Sequence, residues 1–265
     1  NITGDRTQGV IISGLTSIGG DNTSGLMISG FMNVTGNMAS GLHFSGAANI
    51  TGQSFGGLMA SGLLNVVGEH MNGLQMAGIA NITASKLNGV QIALCNYATQ
   101  ARGLQIGLVN YYKEDMKGFQ LGLVNANPDT RVQMMVYGGN ATPANIGVRF
   151  KNQLFYTILG IGSMYQGLND KFSASASYRA GLSFTLYKGL SISGDLGYQH
   201  IEAFDNKDEV IPKRLYALQA RANLEYQFTR KFGIFATGGY GLTRLYNKSS
   251  NYDKGAIIEA GIVLF

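Results

Sequence analysis

Residues 25–40 read GLMISGFMNVTGNMAS and residues 41–56 read GLHFSGAANITGQSFG, so the chain repeats itself at a period of sixteen residues. A fixed short period indicates stacked structural repeats. The opening residues NITGDRTQ fit the second half of an earlier copy, so we expect the array to begin within a repeat. Further full copies begin at Gly9, Gly57 and Gly73, and shorter copies begin at Gly89, Gly103 and Gly118.

Apolar residues alternate with other residues in each copy, as at Leu26 and Ile28 or Leu42 and Phe44. Period two predicts a β-strand, and the glycines between the apolar runs mark turns. We interpret sixteen residues as two short strands and two turns, which make one coil of a β-solenoid. Each coil is then expected to bury its apolar face by stacking on its neighbours. Antiparallel hairpins of a larger sheet are the alternative.

One asparagine recurs at the same place in successive copies. In a solenoid these side chains would lie above one another, with amide hydrogen bonds from coil to coil. We therefore predict an asparagine ladder with a structural role, formed by Asn33, Asn49, Asn65, Asn81, Asn96, Asn110 and Asn125.

The composition excludes several classes of protein. Charged residues make up 13% of the 265 residues, about half the usual share. The single cysteine cannot form a disulfide within the chain, and 38 glycines exclude a helical bundle because each interior glycine destabilises a helix. Residues 22–68 carry no charge, but polar residues and glycines interrupt them too often for a transmembrane helix. A glycine-rich β-protein remains.

Long alternating strands replace the repeats at residue 131. In residues 215–228, Leu218 and Leu224 share one face while Gln219 and Arg221 share the other. Such strands are long enough to cross a bilayer, which takes about 9–11 tilted residues. We predict a repeat array over residues 1–130 and an eight-stranded antiparallel transmembrane β-barrel over residues 131–265. The predicted strands are 131–140, 145–151, 154–165, 172–187, 190–203, 214–229, 232–246 and 255–265.

The connections between these strands alternate between tight turns and longer polar loops. This alternation is typical of outer-membrane barrels, whose short turns lie on the periplasmic side. Aromatic residues lie near the strand ends, where interfacial girdles occur. We expect this girdle to include Tyr165, Tyr187, Tyr226, Phe228, Phe232 and Tyr246.

Charged residues also fall on the predicted inner face of the barrel. An eight-stranded barrel has an interior just wide enough for side chains, and an unpaired buried charge is costly. We therefore predict a paired structural network that fills the barrel, with no pore. Its members are Arg149, Arg179, Asp195, Arg221, Glu225 and Glu259.

The last segment, AIIEAGIVLF over residues 256–265, resembles the terminal strand of bacterial outer-membrane proteins. That resemblance implies that Phe265 belongs to an insertion signal read by the barrel-assembly machinery. Separately, GLQIGLVN and GFQLGLVN resemble the surface-repeat-containing proteins of Gram-negative bacteria, over roughly residues 9–125. This family resemblance implies a location at the cell envelope and little chemistry.

Catalysis has one candidate in the barrel half, His200, which shares a face with Glu202. Ser163 or Ser249 would have to complete a site, and we favour a structural histidine at the lipid headgroups. His43 and His70 lack neighbouring ligands, so we expect no metal and no cofactor. The basic residues of the second half map to the predicted barrel rims, which favours lipopolysaccharide phosphates over nucleic acid as a partner.

These observations predict a non-enzymatic outer-membrane barrel that anchors a repeat domain. The repeats would serve as an interaction surface or as an accessory subunit with other outer-membrane proteins. A lipid-modifying enzyme is the alternative, followed by a small-solute channel. An even strand number places residue 131 on the periplasmic side, whereas the family resemblance implies surface exposure; we favour periplasmic repeats.

Overall fold

The structure is a computed structural model that describes residues 1–168, 172–204, 214–246 and 251–265. Two compact units make up the chain, a repeat unit (Asn1–Pro128) and a barrel unit (Asp129–Phe265). Within the described residues, no helix is long and apolar enough to cross a membrane.

The repeat unit is a stack of coils built from parallel strands. In the first five coils the longer strand has eight residues, and in the first four a strand of four residues follows it. The strands are β1 (Arg6–Ser13), β2 (Thr16–Gly19), β3 (Asn22–Ser29), β4 (Met32–Thr35), β5 (Met38–Ser45), β6 (Ala48–Thr51), β7 (Ser54–Ser61), β8 (Leu64–Val67), β9 (His70–Ala77), β10 (Ala80–Ile92), β11 (Cys95–Ile106), β12 (Val109–Leu121) and β13 (Val124–Ala126).

Each strand pairs in register with the equivalent strand of the next coil. β3 pairs with β1 and β5, and β4 pairs with β2 and β6, so that Asn33 lies opposite Asn49. β10 pairs with both β8 and β9, because this strand continues through the corner that divides the earlier coils. The predicted solenoid is confirmed, and the hairpin alternative is wrong because neighbouring coils are parallel.

The side chains that face the solenoid interior differ from those expected. Leu42 and Phe44 were expected to be buried, yet 46% of Leu42 and 36% of Phe44 are exposed. His43 between them is buried, as is Asn49 on the next side of the coil. Successive residues of a strand point to opposite faces. The inward His43 therefore turns Leu42 and Phe44 outward, and the inward Asn49 turns Ala48 and Ile50 outward.

The repeat glycine lies within the longer strand of each coil and takes a backbone conformation that is rare for other residues. Gly57 has a φ of 131°, which residues with a side chain rarely adopt. A Cβ atom at Gly57 would lie 2.2 Å from the carbonyl oxygen of Gly41 in the coil below. The recurrence of glycine therefore reflects both this backbone conformation and the close approach of adjacent coils.

The barrel unit is a closed antiparallel barrel of eight strands, as predicted. The first strand pairs with the last, from Met134 opposite Leu264 to Gly139 opposite Glu259. A short 3-10 helix, Gln166–Leu168, follows the third strand. The strands are β14 (Arg131–Gly139), β15 (Ala144–Asn152), β16 (Phe155–Ser163), β17 (Ser173–Tyr187), β18 (Leu190–Ala203), β19 (Arg214–Thr229), β20 (Phe232–Leu245) and β21 (Asn251–Leu264).

Two details of the barrel differ from the sequence prediction. The last strand begins at Asn251, four residues before the predicted start at residue 255. Tyr165 does not belong to the outer girdle, because β16 ends at Ser163 and Met164 takes a positive φ of 63°. Tyr165 is consequently buried, and its hydroxyl lies 2.8 Å from Thr243 Oγ1.

The substitution Gly57→Ala tests the requirement for glycine at this position. We expect it to destabilise the repeat unit by about 2 kcal/mol or more, because it combines backbone strain with a clash against Gly41. The control is Gly56→Ala, since a Cβ there meets nothing within 4 Å. Hydrogen exchange of repeat peptides in the full chain measures both variants, and equal protection in the two would contradict this account.

Candidate functional site

Three charged clusters lie in the barrel interior. The first joins β15 to β19. Arg149 donates two hydrogen bonds to Glu225, over 2.6 Å from Nη1 to Oε2 and 3.0 Å from Nη2 to Oε1. Gln133 accepts two more from Arg149 through its Oε1, at 2.9 and 2.7 Å. Both charged side chains are buried. This paired geometry is the arrangement that makes arginine–carboxylate pairs strong.

The second cluster is centred on Arg179 of β17. Its Nε and Nη2 each donate to one oxygen of Asp195, both over 2.8 Å. Tyr156 Oη donates to Asp195 Oδ2 over 2.7 Å, and Asn223 Nδ2 donates to the same oxygen over 2.8 Å. The carboxylate of Asp195 thus has four donors around it, which offsets its removal from water.

A third pair joins β19 to β21 and connects to the second cluster. Arg221 Nε donates to Glu259 Oε2 over 3.2 Å, and Arg179 Nη1 lies 3.6 Å from the same oxygen. Gly197 makes room between the arginines, because a Cβ there would lie 3.0 Å from Arg221 Nη1 and 3.1 Å from Arg179 Cγ. The structure thus brings the six predicted residues into contact with opposite charges, with three arginines and three carboxylates.

These side chains leave almost no open space in the middle of the barrel. The cavity bordered by Arg149, Tyr156 and Arg179 measures about 10 Å³. That volume is at the lower limit for a single water molecule. A wider cavity of about 180 Å³ lies where β20 and β21 meet the loops, beside Tyr165 and Asp253. The described part of the barrel is therefore filled at its centre.

The seven asparagines form one continuous chain of hydrogen bonds inside the repeat unit. In each step the Nδ2 of one asparagine donates to the Oδ1 of the next, from Asn33 to Asn125, over 2.8 to 3.1 Å. Asn49, Asn65, Asn81 and Asn96 each also donate to a backbone carbonyl, as Asn65 does to Met76 over 2.7 Å. The in-register strands position the amides one coil apart, so each amide serves as both donor and acceptor.

Sequence reasoning missed a second ladder parallel to the first. Gln91, Gln105 and Gln120 each donate through Nε2 to the Oε1 of the glutamine one coil below, over 2.8 Å. The lowest member is Gln75, and the register continues downward through Met59, His43 and Met27. The recurring glutamine two residues after the repeat glycine was the available signal.

His43 is the one titratable side chain buried in this column. Its ring packs edge-on against Phe55 with the ring centres 4.9 Å apart, and its Nε2 has no hydrogen-bond partner among the described residues. Burial lowers the pKa of His43 to about 4. His43 is therefore neutral at physiological pH.

His200 lies at the outer surface of β18, with both ring nitrogens occupied. Its Nδ1 is 2.7 Å from Tyr246 Oη, and its Nε2 is 3.3 Å from Glu202 Oε2. Glu202 in turn accepts a hydrogen bond from Arg214 over 3.0 Å. Among the described residues, Ser163 makes no hydrogen bond with His200. Ser249 lies outside the described residues.

The chain end and the rims follow the barrel register. Phe265 follows the end of β21, is 58% exposed, and donates its backbone N–H to Lys231. Tyr187 and Phe228 lie near the two-residue turns and are also exposed. Lys213 and Lys248 are two of the basic residues that the sequence maps to the opposite rim, and both lie outside the described residues.

No family model and no curated protein match the sequence. The resemblance of the repeats to surface-repeat-containing proteins therefore stays a prediction. The N-terminal β-barrel domain of Pseudomonas aeruginosa OprF is similar at 18% identity and a TM-score of 0.38, over 50% of this chain and 95% of that chain. Neisserial surface protein A is similar at 9% identity and a TM-score of 0.34, over 50% and 93%. A designed transmembrane β-barrel is similar at 13% identity and a TM-score of 0.32, over 50% of this chain and 91% of that chain.

Arg179→Met tests the charged interior. We expect it to destabilise the barrel by about 3–5 kcal/mol, because Asp195 stays buried without its charge partner. The control is Arg214→Met, which removes the exposed pair with Glu202 and costs at most about 1 kcal/mol. The chain has no tryptophan, so Leu196→Trp in both variants supplies a single fluorescent reporter for urea unfolding in micelles. Equal urea midpoints would refute the predicted difference.

Asn65→Ala tests the asparagine ladder. The change deprives Asn49 of its acceptor and Asn81 of its donor, and we expect a loss of about 3 kcal/mol from these buried groups. Asn72→Ala is the matched control, because its hydrogen bond with Asn88 is exposed. Hydrogen exchange in the neighbouring coils reports the difference, and a loss as small as that of Asn72→Ala would argue against the ladder.

His43→Met tests the pH dependence of the repeat unit. Between pH 6.5 and about 4 the unfolded chain binds a proton at His43 that the folded chain excludes, so stability falls as the pH falls. Across this pH range the free energy of unfolding falls by about 3 kcal/mol. We expect His43→Met to remove it, because methionines occupy the register positions above and below. Hydrogen exchange compares variant and wild type at each pH, and a constant difference from pH 7 to 4 would contradict the assignment.

Proposed function

We propose that this protein is a non-enzymatic outer-membrane protein. In this proposal the barrel unit is the membrane anchor, and the repeat unit is an interaction surface of a larger envelope complex. The observation that carries the proposal is the reversal of polarity in the barrel: paired charges fill its interior, whereas the outward side chains are apolar. A closed barrel satisfies its backbone within the sheet, which is what a spanning β-structure requires.

The outer surface of the barrel supports this assignment in detail. Leu196 is 71% exposed, Ile258 67% and Leu224 51%, and each lies on a strand that turns at least one charged side chain into the barrel. Near the two-residue turns, the rings of Tyr226 and Phe228 pack edge-on at 4.9 Å. Aromatic residues at that level are typical of the lipid–water interface.

The filled interior favours an anchor over a small-solute channel. A cavity of about 10 Å³ at the centre gives a solute no path through the described side chains. The engaged ring of His200 likewise favours a structural histidine over a catalytic base, because both nitrogens already have partners in Tyr246 and Glu202. Lipid-modifying activity remains the second candidate, on the strength of this histidine–carboxylate pair.

Protease treatment of intact cells tests the placement of the repeat unit. The first and last strands of the closed barrel are antiparallel neighbours, so Arg131 and Phe265 lie at the same end, that of the two-residue turns. We therefore propose that the repeats are periplasmic, and we expect residues 1–128 to be cleaved only after the outer membrane is permeabilised. Cleavage in intact cells, with the barrel retained, would place them at the surface.

Mass spectrometry of lipid A tests the enzymatic alternative. We expect overexpression of the wild-type chain to leave the lipid A mass unchanged, as overexpression of His200→Ala does. A mass change with the wild type that is lost in His200→Ala would overturn the non-enzymatic assignment.

A further inference from the structure

The repeat unit divides lengthwise into two halves of opposite character. In the coil at residues 25–34, Leu26, Ile28, Phe31, Met32 and Val34 point outward, since Met27 and Asn33 between them are buried. We name the equivalent outward positions of all eight coils the apolar face. Its positions, five in each of eight coils, contain no charged residue. The only polar groups among these side chains are the hydroxyls of Thr16, Tyr97 and Tyr111.

The corner of each coil forms a ridge along the middle of the apolar face. Six of the eight ridge residues keep between 48% and 75% of their surface exposed, whereas Leu123 keeps 38% and Ala47 is buried. At the usual spacing of about 4.8 Å between strands, eight coils give a ridge about 34 Å long. The members that we use are Leu15, Phe31, Leu63, Ile79, Leu94 and Leu108.

The opposite half of the unit carries every charge. All ten charged residues of Asn1–Pro128 fall outside the stretches that form the apolar face, and five basic residues balance five acidic ones. Asp21 and Glu69, for example, lie in the turns that precede β3 and β9. The charged half is suited to water, whereas the apolar face is not.

The polar groups that a soluble protein would turn to water are instead enclosed. Two amide ladders run through the interior, and the coil backbones hydrogen-bond to their neighbours. The interior also holds an apolar cluster that includes Phe55, Met59 and Met71. The likeness to the barrel therefore lies in the outward side chains, which are apolar on this face as they are on the outer surface of the barrel, where we attribute them to lipid.

We propose that the apolar face of the repeat unit is seated in the acyl-chain layer of a membrane, with the charged half in water. A protein partner would need polar complementarity, about one hydrogen bond per 100–200 Å², and this face offers it three hydroxyls. A contiguous apolar patch that runs along the unit marks a membrane or protein contact. The arrangement corresponds to that of an amphipathic helix lying in the interface.

The inference rests on the membrane anchor of the proposed function and goes beyond it, by naming lipid as the chemistry that the apolar face contacts and leaving the charged half as the surface for an envelope complex. Single-tryptophan variants of the full chain test it in vesicles of phosphatidylcholine or its dibrominated analogue, which quenches tryptophan on contact. The ridge variant is Leu63→Trp, with Leu108→Trp as a second site. The matched control on the charged half is the exposed Asn72→Trp, and Leu196→Trp reports on the barrel.

We expect brominated lipid to quench both ridge tryptophans at least twofold and to leave Asn72→Trp unaffected, while aqueous iodide quenches only Asn72→Trp. Iodide quenching at the ridge would show that the face lies in water and would overturn the proposal. Protection from both quenchers would also overturn it, in favour of a protein partner or a second copy. Bromolipid quenching of Asn72→Trp would exclude a water-facing charged half.

The barrel reporter separates this inference from the proposed function. If Leu196→Trp is quenched by brominated lipid and the ridge tryptophans are not, only the inference fails. If Leu196→Trp is not quenched, the membrane anchor itself is wrong. Circular dichroism of each variant verifies the β-content. If Leu63→Trp does not fold, quenching of Leu108→Trp gives the result for the ridge.

Discussion

The structure depends on one constraint: the side chains on the outer surface of the barrel and on the apolar face of the repeat unit are apolar, so the buried amides and charges behind them pair with one another inside. In the barrel, three arginines meet three carboxylates at distances of 2.6 to 3.6 Å. In the repeat unit, asparagine and glutamine amides bond from coil to coil. An unpaired group in either place would cost several kcal/mol. Strand register is the common device, because it brings each donor to its acceptor.

Register also explains why the two units use different polar residues. Neighbouring coils are parallel and in register, so identical residues meet, and only a side chain that both donates and accepts can pair with itself. Asn65 between Asn49 and Asn81 satisfies that condition. Antiparallel barrel strands place unlike residues opposite each other, as Asp195 and Arg221 lie in β18 and β19. Opposite charges can therefore face one another there.

Alternation in the sequence predicted the strands well, since period two is a local property. The ends of β18 and β19 agree with the predicted 190–203 and 214–229, whereas Tyr165 was misplaced because a positive φ at Met164 breaks the alternation. The prediction of which side chains face the interior of the repeats was also wrong. Alternation tells which residues share a face but not which face is enclosed, so it could not decide whether Leu42 faces the interior of the coil. The glutamine ladder was missed because its signal appears only when the later copies are aligned.

Accessibility of the native Cys95 tests the central claim most directly. Cys95 is the single cysteine of the chain, lies on the apolar face and is exposed. A nitroxide attached to it in the full-length protein in vesicles can be relaxed by oxygen, which concentrates in lipid, or by a nickel chelate, which stays in water. The account predicts strong relaxation by oxygen and little by the nickel chelate. The opposite ranking would contradict the claim that lipid contacts the apolar face.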